Sequence, residues 1–322
     1  EFGYNYVDEF ISYLLSTPLN KENIEVLAAN LTISETYFWR EPQTFEALEQ
    51  MIIPELIRRR QKKEKKIRIW SAGCSTGEEP YSIAISLSRL IPNISDWDIS
   101  ILATDINPRV LQKAKNGVYG KWSFRGTPPW LKEKYFIQKS NDKFEIIPAV
   151  KQFVKFEYLN LAEKTFPTPL NDTNAMDLIY CRNVLMYFTT ERFKQVAKGF
   201  FNSLLQGGYL IVSASELSLQ NFPDFAPVNF NGMVLYQKNS GKIKNQYKYH
   251  LPEVSEPVIF PTPLIPEPVI VDIKTQFSES ESVIQPPAVF SEPLVSDYEE
   301  SLKSYSQGQY SEVAVKLQKN DQ

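Results

Sequence analysis

The chain has 322 residues, of which 43% are hydrophobic and 23% are charged, so it is long enough to bury a sizeable core and to form more than one folded unit. A formal net charge of −3 argues against general binding to nucleic acid, and no apolar run predicts insertion into a membrane. Two cysteines, Cys74 and Cys181, predict a reducing cytoplasm. The single histidine, His250, leaves zinc sites short of ligands, so we predict no metal site.

The first part of the chain, residues 1–62, predicts a small helical domain. Phe45, Leu48 and Ile52 recur at helical spacing, as apolar residues do nearer the N-terminus. The basic run RRRQKKEKK, residues 58–66, predicts a solvated helix end ahead of the first strand; nucleic-acid binding is the weaker interpretation.

Strand-like and helix-like runs alternate from residue 63 to residue 240, which predicts a mostly parallel sheet covered on both faces. The predicted strands are 67–71, 99–105, 154–160, 177–182, 209–214 and 232–238, and the predicted helices are 79–90, 108–115 and 191–205. We expect an α/β fold for this part of the chain.

Three segments depart from this alternation. Residues 120–152 carry two short β-like runs around a polar SND turn, which predicts a small antiparallel insertion. The proline-rich residues 241–296 predict an extended linker that cannot bury a core. Residues 297–322 resemble the first helix and turn of a tetratricopeptide repeat, with Tyr305 and Gly308 in matching places, which implies protein partners for such repeats.

The run SAGCSTGEEPYS, residues 71–82, joins a predicted strand to a predicted helix and indicates a ligand-binding turn. Gly73 and Gly77 have no side chains, so backbone N–H groups can approach a ligand at the helix N-terminus. The next strand ends in Asp105, whose carboxylate suits two ribose hydroxyls. A tight turn without a ligand and a helix N-cap are the structural alternatives.

A third strand end carries Arg182 and Asn183, with Tyr187 one helical turn further on. Because the carboxyl ends of parallel strands meet at one edge of a sheet, we expect these side chains and Asp105 to line one crevice. A buried core position is the alternative for Tyr187.

Four ordered blocks resemble the chemotaxis receptor methyltransferase family, the CheR type, whose members esterify receptor glutamates. The blocks are LTISETYFWRE, SAGCSTGEEPYS, ATDIN and CRNVLMYF, and the likeness extends from about residue 31 to residue 238. The resemblance implies a Rossmann-like methyltransferase sheet, with the predicted strand 232–238 as its antiparallel edge. It also implies S-adenosyl-L-methionine as cofactor, S-adenosyl-L-homocysteine as product, and the cytoplasmic helical bundle of a methyl-accepting receptor as partner.

The resemblance also implies a role for individual residues. Asn160 and Leu161 flank the adenine, Glu78 lies near the amino-acid end of the cofactor, and Thr36 shares a helical face with Arg40. Ser34 stands where family members have asparagine. The implied catalytic residues are Arg40, Arg182 and Tyr187; the implied cofactor-binding residues are Ser34, Thr36, Arg40, Gly73, Glu78, Asp105, Asn160 and Leu161; and Arg182 and Asn183 would meet the substrate.

Three other functions remain open at this point. The same fold and cofactor could serve a small molecule or RNA, or the domain could be a signalling scaffold that binds S-adenosylmethionine and acts through its repeats. GCSTG also satisfies the G-x-S-x-G pattern of a hydrolase, with Ser75 as nucleophile, Asp177 as acid and His250 as base. The hydrolase is the weakest of the three, because His250 falls in the proline-rich segment.

Overall fold

A computed structural model of the chain describes residues 2–4, 6–62 and 64–239. The predicted linker, the repeat-like segment and His250 lie outside these residues, so those predictions and the domain boundaries stay predictions. The strands are β1 Lys66–Ala72, β2 Asp98–Asp105, β3 Val118–Gly120, β4 Phe136–Ser140, β5 Lys143–Ile146, β6 Val154–Tyr158, β7 Met176–Tyr180, β8 Leu204–Ile211, β9 Ala226–Phe230 and β10 Met233–Gln237.

Seven strands form one sheet in the order β6-β2-β1-β7-β8-β10-β9. The pairs from β6 to β8 are parallel, and β10 runs antiparallel to both β8 and β9. The α/β prediction with a mostly parallel Rossmann-like sheet is confirmed. From β1 the chain adds β2 and then β6 on one side, and it then crosses to the other side of β1 to form β7 and β8. The strand order therefore reverses between β1 and β7. Open α/β sheets bind ligands at such a reversal.

The antiparallel edge strand is not the one predicted. β10 lies inside the sheet, and the edge is β9, which the sequence analysis missed. Asn231 and Gly232 join the two strands with positive φ angles of 47° and 81°. An Asn-Gly pair of this kind is the turn that favours a two-residue hairpin, and it was the available signal.

The helices are α1 Val7–Ser16, α2 Lys21–Leu31, α3 Pro42–Ala47, α4 Ile53–Arg60, α5 Glu78–Leu90, α6 Pro108–Asn116, α7 Pro129–Tyr135, α8 Pro148–Lys151 and α9 Thr190–Ser203. A π-helical turn, Leu48–Ile52, joins α3 to α4. In the described part of the chain, no helix is both long and apolar enough to cross a membrane.

The connection between α2 and α3, residues 32–41, is irregular, so the prediction that Thr36 and Arg40 share a helical face is wrong. Trp39 and Glu41 have φ angles of 60° and 57°, which a right-handed helix cannot contain. Phe38 in this connection is fully buried in the core, and this packing holds the connection in place.

Both faces of the sheet are buried, as a parallel sheet requires. Ile69, Ile101 and Leu178 belong to the core on one face. Their strand neighbours Trp70 and Ile179 belong to the core on the other face, because successive side chains of a strand point in opposite directions. The predicted antiparallel insertion is present as a three-stranded sheet in the order β3-β5-β4.

Candidate functional site

A cavity of about 590 Å³ opens where β1, β2 and β7 end, at the reversal of strand order. Its volume lies in the range of small-molecule sites. The predicted site residues that line it are Ser34, Thr36, Arg40, Gly73, Asp105, Asn160, Leu161, Arg182, Asn183 and Tyr187. The crevice predicted from the strand ends is therefore a single cavity.

The turn after β1 is held close to β2 and to the turn after β7. The N–H groups of Gly73 and Cys74 both donate to the Thr104 carbonyl, at 2.8 and 2.9 Å. Gly73 has a φ of 80°, and a Cβ atom there would lie 2.3 Å from Cγ2 of Val184. Only glycine fits, for two reasons: the left-handed backbone conformation and the contact with Val184.

Asp105 ends β2 and holds the same turn. Its Oδ2 accepts from the Ser75 N–H at 2.9 Å, and its Oδ1 accepts from the Asn107 N–H at 2.9 Å. Burial raises the pKa of this carboxyl above its usual value, against the lowering effect of these hydrogen bonds. The N-cap of α6 is Asn107, whose side chain accepts from Arg109 and Val110, so capping does not account for Asp105.

Glu78 does not lie where the resemblance implies. It is fully buried, and its carboxylate accepts hydrogen bonds from the hydroxyls of Thr76 at 2.6 Å and Ser123 at 3.0 Å. The next residue, Glu79, lines the cavity instead. Adjacent helical residues differ by about 100° in direction, which decides between two carboxylates that the sequence leaves equivalent.

Arg182 forms the centre of a charged network at the cavity wall. Its side chain is buried and donates to Glu79 Oε2 at 3.1 Å and to the Arg40 carbonyl at 2.8 Å, and it pairs with Glu41 at 3.2 Å. Glu79 also accepts from the Ser71 hydroxyl at 2.8 Å. Burial raises the pKa of Glu79, while Arg182 opposes that rise.

The Nε atom of Arg182 is buried and has no hydrogen-bond partner among the described residues. Native structures leave few buried donors unpaired, so such a donor beside a cavity is typical of a site that receives a ligand. Arg40 also lines the cavity and donates to the Glu35 carbonyl at 2.8 Å.

The segment after Arg182 is a turn, so the prediction that Asn183 and Tyr187 lie one helical turn apart on a common face is wrong. Asn183 has a φ of 59°, and only Leu185–Tyr187 form a short 3-10 turn. Asn183 and Tyr187 still line the same cavity, although not through a shared helical face. Tyr187 is 67% exposed at the rim, which excludes a core position for it.

Glu216, which the sequence analysis missed, supports this turn from behind. Its Oε1 accepts from the N–H groups of Val184 and Leu185, both at 2.7 Å. Its Oε2 accepts from the N–H groups of Asn183 at 2.9 Å and Ser213 at 3.0 Å, and from the Ser213 hydroxyl. The S-x-x-E capping pattern from Ser213 to Glu216 was the available signal, but it predicts only a local cap.

Arg125 of the insertion does not line the cavity but contacts a segment that does. The Arg125 guanidinium lies 4.1 Å from the ring centre of Tyr37 and 4.6 Å from that of Trp122. It also pairs with Glu35 at 2.9 Å and donates to the Thr36 carbonyl at 3.4 Å. The segment from Glu35 to Tyr37, which lines the cavity, is thereby fixed to the insertion.

The cavity residues fit S-adenosylmethionine. Asp105 retains lone pairs beyond its two backbone contacts and faces the cavity, as a ribose-binding carboxylate requires. Leu159 and Leu161 add apolar surface suited to an adenine, and Arg40 suits a carboxylate. Among the described residues, no group of histidine, cysteine, aspartate and glutamate side chains could hold a metal ion.

The model of a family described as CheR methyltransferase, SAM binding domain, matches residues 34–231. The chemotaxis protein methyltransferase of Borreliella burgdorferi is 37% identical over 216 residues, which cover 66% of this chain and 75% of that protein. Chemotaxis protein methyltransferase 2 of Vibrio cholerae is 35% identical over 61% of this chain and 66% of its own length. Chemotaxis protein methyltransferase 1 of Pseudomonas aeruginosa is 34% identical over 62% of this chain and 72% of its own length.

Proposed function

Because the chain belongs to the CheR methyltransferase family, we propose that it transfers the methyl group of S-adenosylmethionine to glutamate side chains of a chemotaxis-type receptor. The products would be glutamyl methyl esters that adjust receptor signalling during adaptation. The relatives at 34–37% identity, each a chemotaxis protein methyltransferase by name, support a receptor as the acceptor. The acceptor glutamates would lie in the cytoplasmic helical bundle of that receptor, so the chain would act in the cytoplasm.

The observation that carries the glutamate proposal is the pair of arginines at the cavity. Arg40 and Arg182 both line it, and the reaction brings together two carboxylates, that of the cofactor and that of the acceptor. When bound, S-adenosylmethionine supplies an electrophilic methyl group on a sulfonium cation. A glutamate with a pKa of about 4.3 is ionised at neutral pH, so the chain has only to orient it and exclude water.

Arg182 is suited to orient a carboxylate without binding it tightly. Glu79 and Glu41 already neutralise much of its charge, which limits the attraction for a further anion. A weak hold on the acceptor leaves more of the binding energy for the transition state. Tyr187, at the cavity rim, would be a second positioning group for the acceptor.

The mouth of the cavity favours a protein acceptor over a small molecule. Leu31, Ile33 and Tyr187 line the cavity, yet they are 73%, 75% and 67% exposed. Exposed apolar side chains grouped around a site are typical of a surface that docks another macromolecule. The formal net charge of −3 disfavours RNA as that macromolecule.

The proposal is tested by incubating the full chain with methyl-labelled S-adenosylmethionine and a purified receptor helical bundle. We expect the label in the bundle as a base-labile ester that releases methanol in alkali. A matched bundle with its acceptor glutamates changed to glutamine should remain unlabelled. A base-stable methyl mark contradicts carboxylate methylation, and cofactor binding without any turnover favours the signalling scaffold.

A further inference from the structure

Glu216 is a buried carboxylate whose full hydrogen-bonding capacity is used inside the protein. It is 3% exposed and is not among the residues that line the cavity. Four backbone N–H groups and one hydroxyl donate to it. Each carboxylate oxygen therefore has at least two donors, which matches its two lone pairs.

Three of those donors are the consecutive N–H groups of Asn183, Val184 and Leu185. Consecutive N–H groups that point to one place form a concave anion site in many proteins. Here the anion is the side chain of Glu216, so the site is filled internally. The carboxylate also offsets the cost of the left-handed backbone at Asn183, whose φ is 59°.

The turn held in this way has proposed acceptor-binding residues on both sides of it. Arg182 comes directly before it and Tyr187 shortly after it, and both line the cavity. The proposed nucleoside contacts belong to other strand ends, with Asp105 as the last residue of β2 and Asn160 just after β6. A change in the turn should therefore move the acceptor side of the cavity more than the nucleoside side.

We infer that Glu216 is a positioning residue for methyl transfer: its carboxylate fixes the backbone of residues 183–185 so that Asn183 and Tyr187 face the acceptor. The inference rests on the proposed function for the identity of the reaction. It predicts that the loss of the carboxylate lowers turnover more than it lowers affinity for the cofactor.

The decisive variant is Glu216→Gln, which keeps size and shape. Every orientation of the amide places an NH₂ group against at least two N–H donors, because neither oxygen of Glu216 is free. We expect kcat to fall about 10- to 100-fold, while the dissociation constant for S-adenosylmethionine changes by less than about threefold. Amide hydrogen exchange at residues 183–185 should become faster.

A matched control is Asp177→Asn, a buried carboxylate in β7 itself, close to the end opposite the turn. It accepts from the Arg68 N–H at 3.0 Å and from Arg60 at 2.6 Å. This variant should have a lower melting temperature. At temperatures where it is still folded, its kcat should be unchanged. Ser213→Ala, which removes one donor and keeps the carboxylate, should lower kcat in the same direction as Glu216→Gln but by a smaller factor.

The outcomes separate this inference from the proposed function. If the wild type makes the methyl ester and folded Glu216→Gln has the same kcat, the inference is contradicted and the proposed function is not. Losses of kcat and cofactor affinity by one common factor also contradict it, because they indicate a general structural role. If the wild type makes no methyl ester, the proposed function fails, and amide exchange then decides: unchanged protection at residues 183–185 in Glu216→Gln contradicts the positioning role.

Discussion

The turns after β1 and after β7 frame the cavity, and a carboxylate holds each of them. Asp105 accepts from two backbone N–H groups and still lines the cavity. Glu216 accepts from four N–H groups and a hydroxyl and does not reach the cavity. Asp105 is partly exposed and keeps unused lone pairs, whereas Glu216 is buried and all its lone pairs are used. Both differences separate a carboxylate able to bind a ligand from one that only shapes the protein.

The comparison extends to the two ends of the cavity. The proposed nucleoside end offers single carboxylate and apolar contacts, whereas the proposed acceptor end has the coupled network of Arg182, Glu79 and Glu41. Variants at the two ends should therefore affect different quantities, cofactor affinity at one end and turnover at the other.

The largest effect is expected for Arg182→Ala. The variant leaves the largely buried carboxylate of Glu79 without its positive partner, and breaking a buried pair costs about 3–5 kcal/mol. We expect turnover to fall more than about 100-fold and cofactor affinity to fall by less than about tenfold, measured by methyl transfer and calorimetry. Arg89→Ala, which removes a pair with Glu49 between two residues that do not line the cavity, is the control. Equal losses in both quantities would remove the distinction between the two ends.

Asp105→Ala should act at the other end. A hydrogen bond to a charged group contributes about 1.5–3 kcal/mol, so we expect cofactor affinity to fall about tenfold to 100-fold in calorimetry. Asp98→Ala, at the opposite end of β2, removes a carboxylate that pairs with Lys66 and should leave the affinity unchanged. Unchanged affinity in a folded Asp105→Ala would place the ribose elsewhere.

The pH dependence of cofactor affinity sharpens the same assignment. Burial raises the pKa of Asp105, so its charged form is lost as pH falls through a value above the usual one for aspartate. As the pH falls through that range, we expect the affinity of the wild type for the cofactor to weaken by up to about tenfold. The affinity of Asp105→Asn should not change with pH in the same range. Tryptophan fluorescence on the same samples shows whether the fold persists. The same pH dependence in both proteins would assign the titration to another group.

Tyr187→Phe should give the smallest effect, because its hydroxyl lies at an exposed rim. We expect turnover to fall about threefold to tenfold, the loss of one hydrogen bond, with no change in cofactor affinity. Tyr6→Phe, at a tyrosine of similar exposure on the N-terminal segment, is the control. A weaker cofactor affinity in Tyr187→Phe would move this residue to the cofactor side.

The sequence predicts the central strands and the position of the cavity because each strand is an apolar run followed by polar residues. It does not predict β3, which has only three residues, or β9, in which Pro227 argues against a strand. It predicts a helical domain over residues 1–62, which includes residues 32–41, from the spacing of apolar residues on either side of that segment. The positive φ angles of Trp39 and Glu41 come from packing, which spacing does not report.

The site was predictable where one residue type at one strand end allows one placement, as for Asp105 and Arg182. It was not predictable for Glu78 and Glu79, which are adjacent and chemically equal. Nor was it predictable for Glu216, since its partners are backbone N–H groups, which carry no sequence signature. Resemblance to a family identifies residues that touch ligands more readily than residues that hold them in place.

The contact between Gly73 and Val184 has a consequence for how sequences of this fold can diverge. A side chain at position 73 would collide with the valine, and the backbone there is also left-handed. A larger residue at 73 would become acceptable only after position 184 had lost bulk, and even then at a conformational cost. The two positions are therefore expected to show epistasis. A substitution of Gly73 should be tolerated only in a chain that already carries a smaller residue, such as alanine, at position 184.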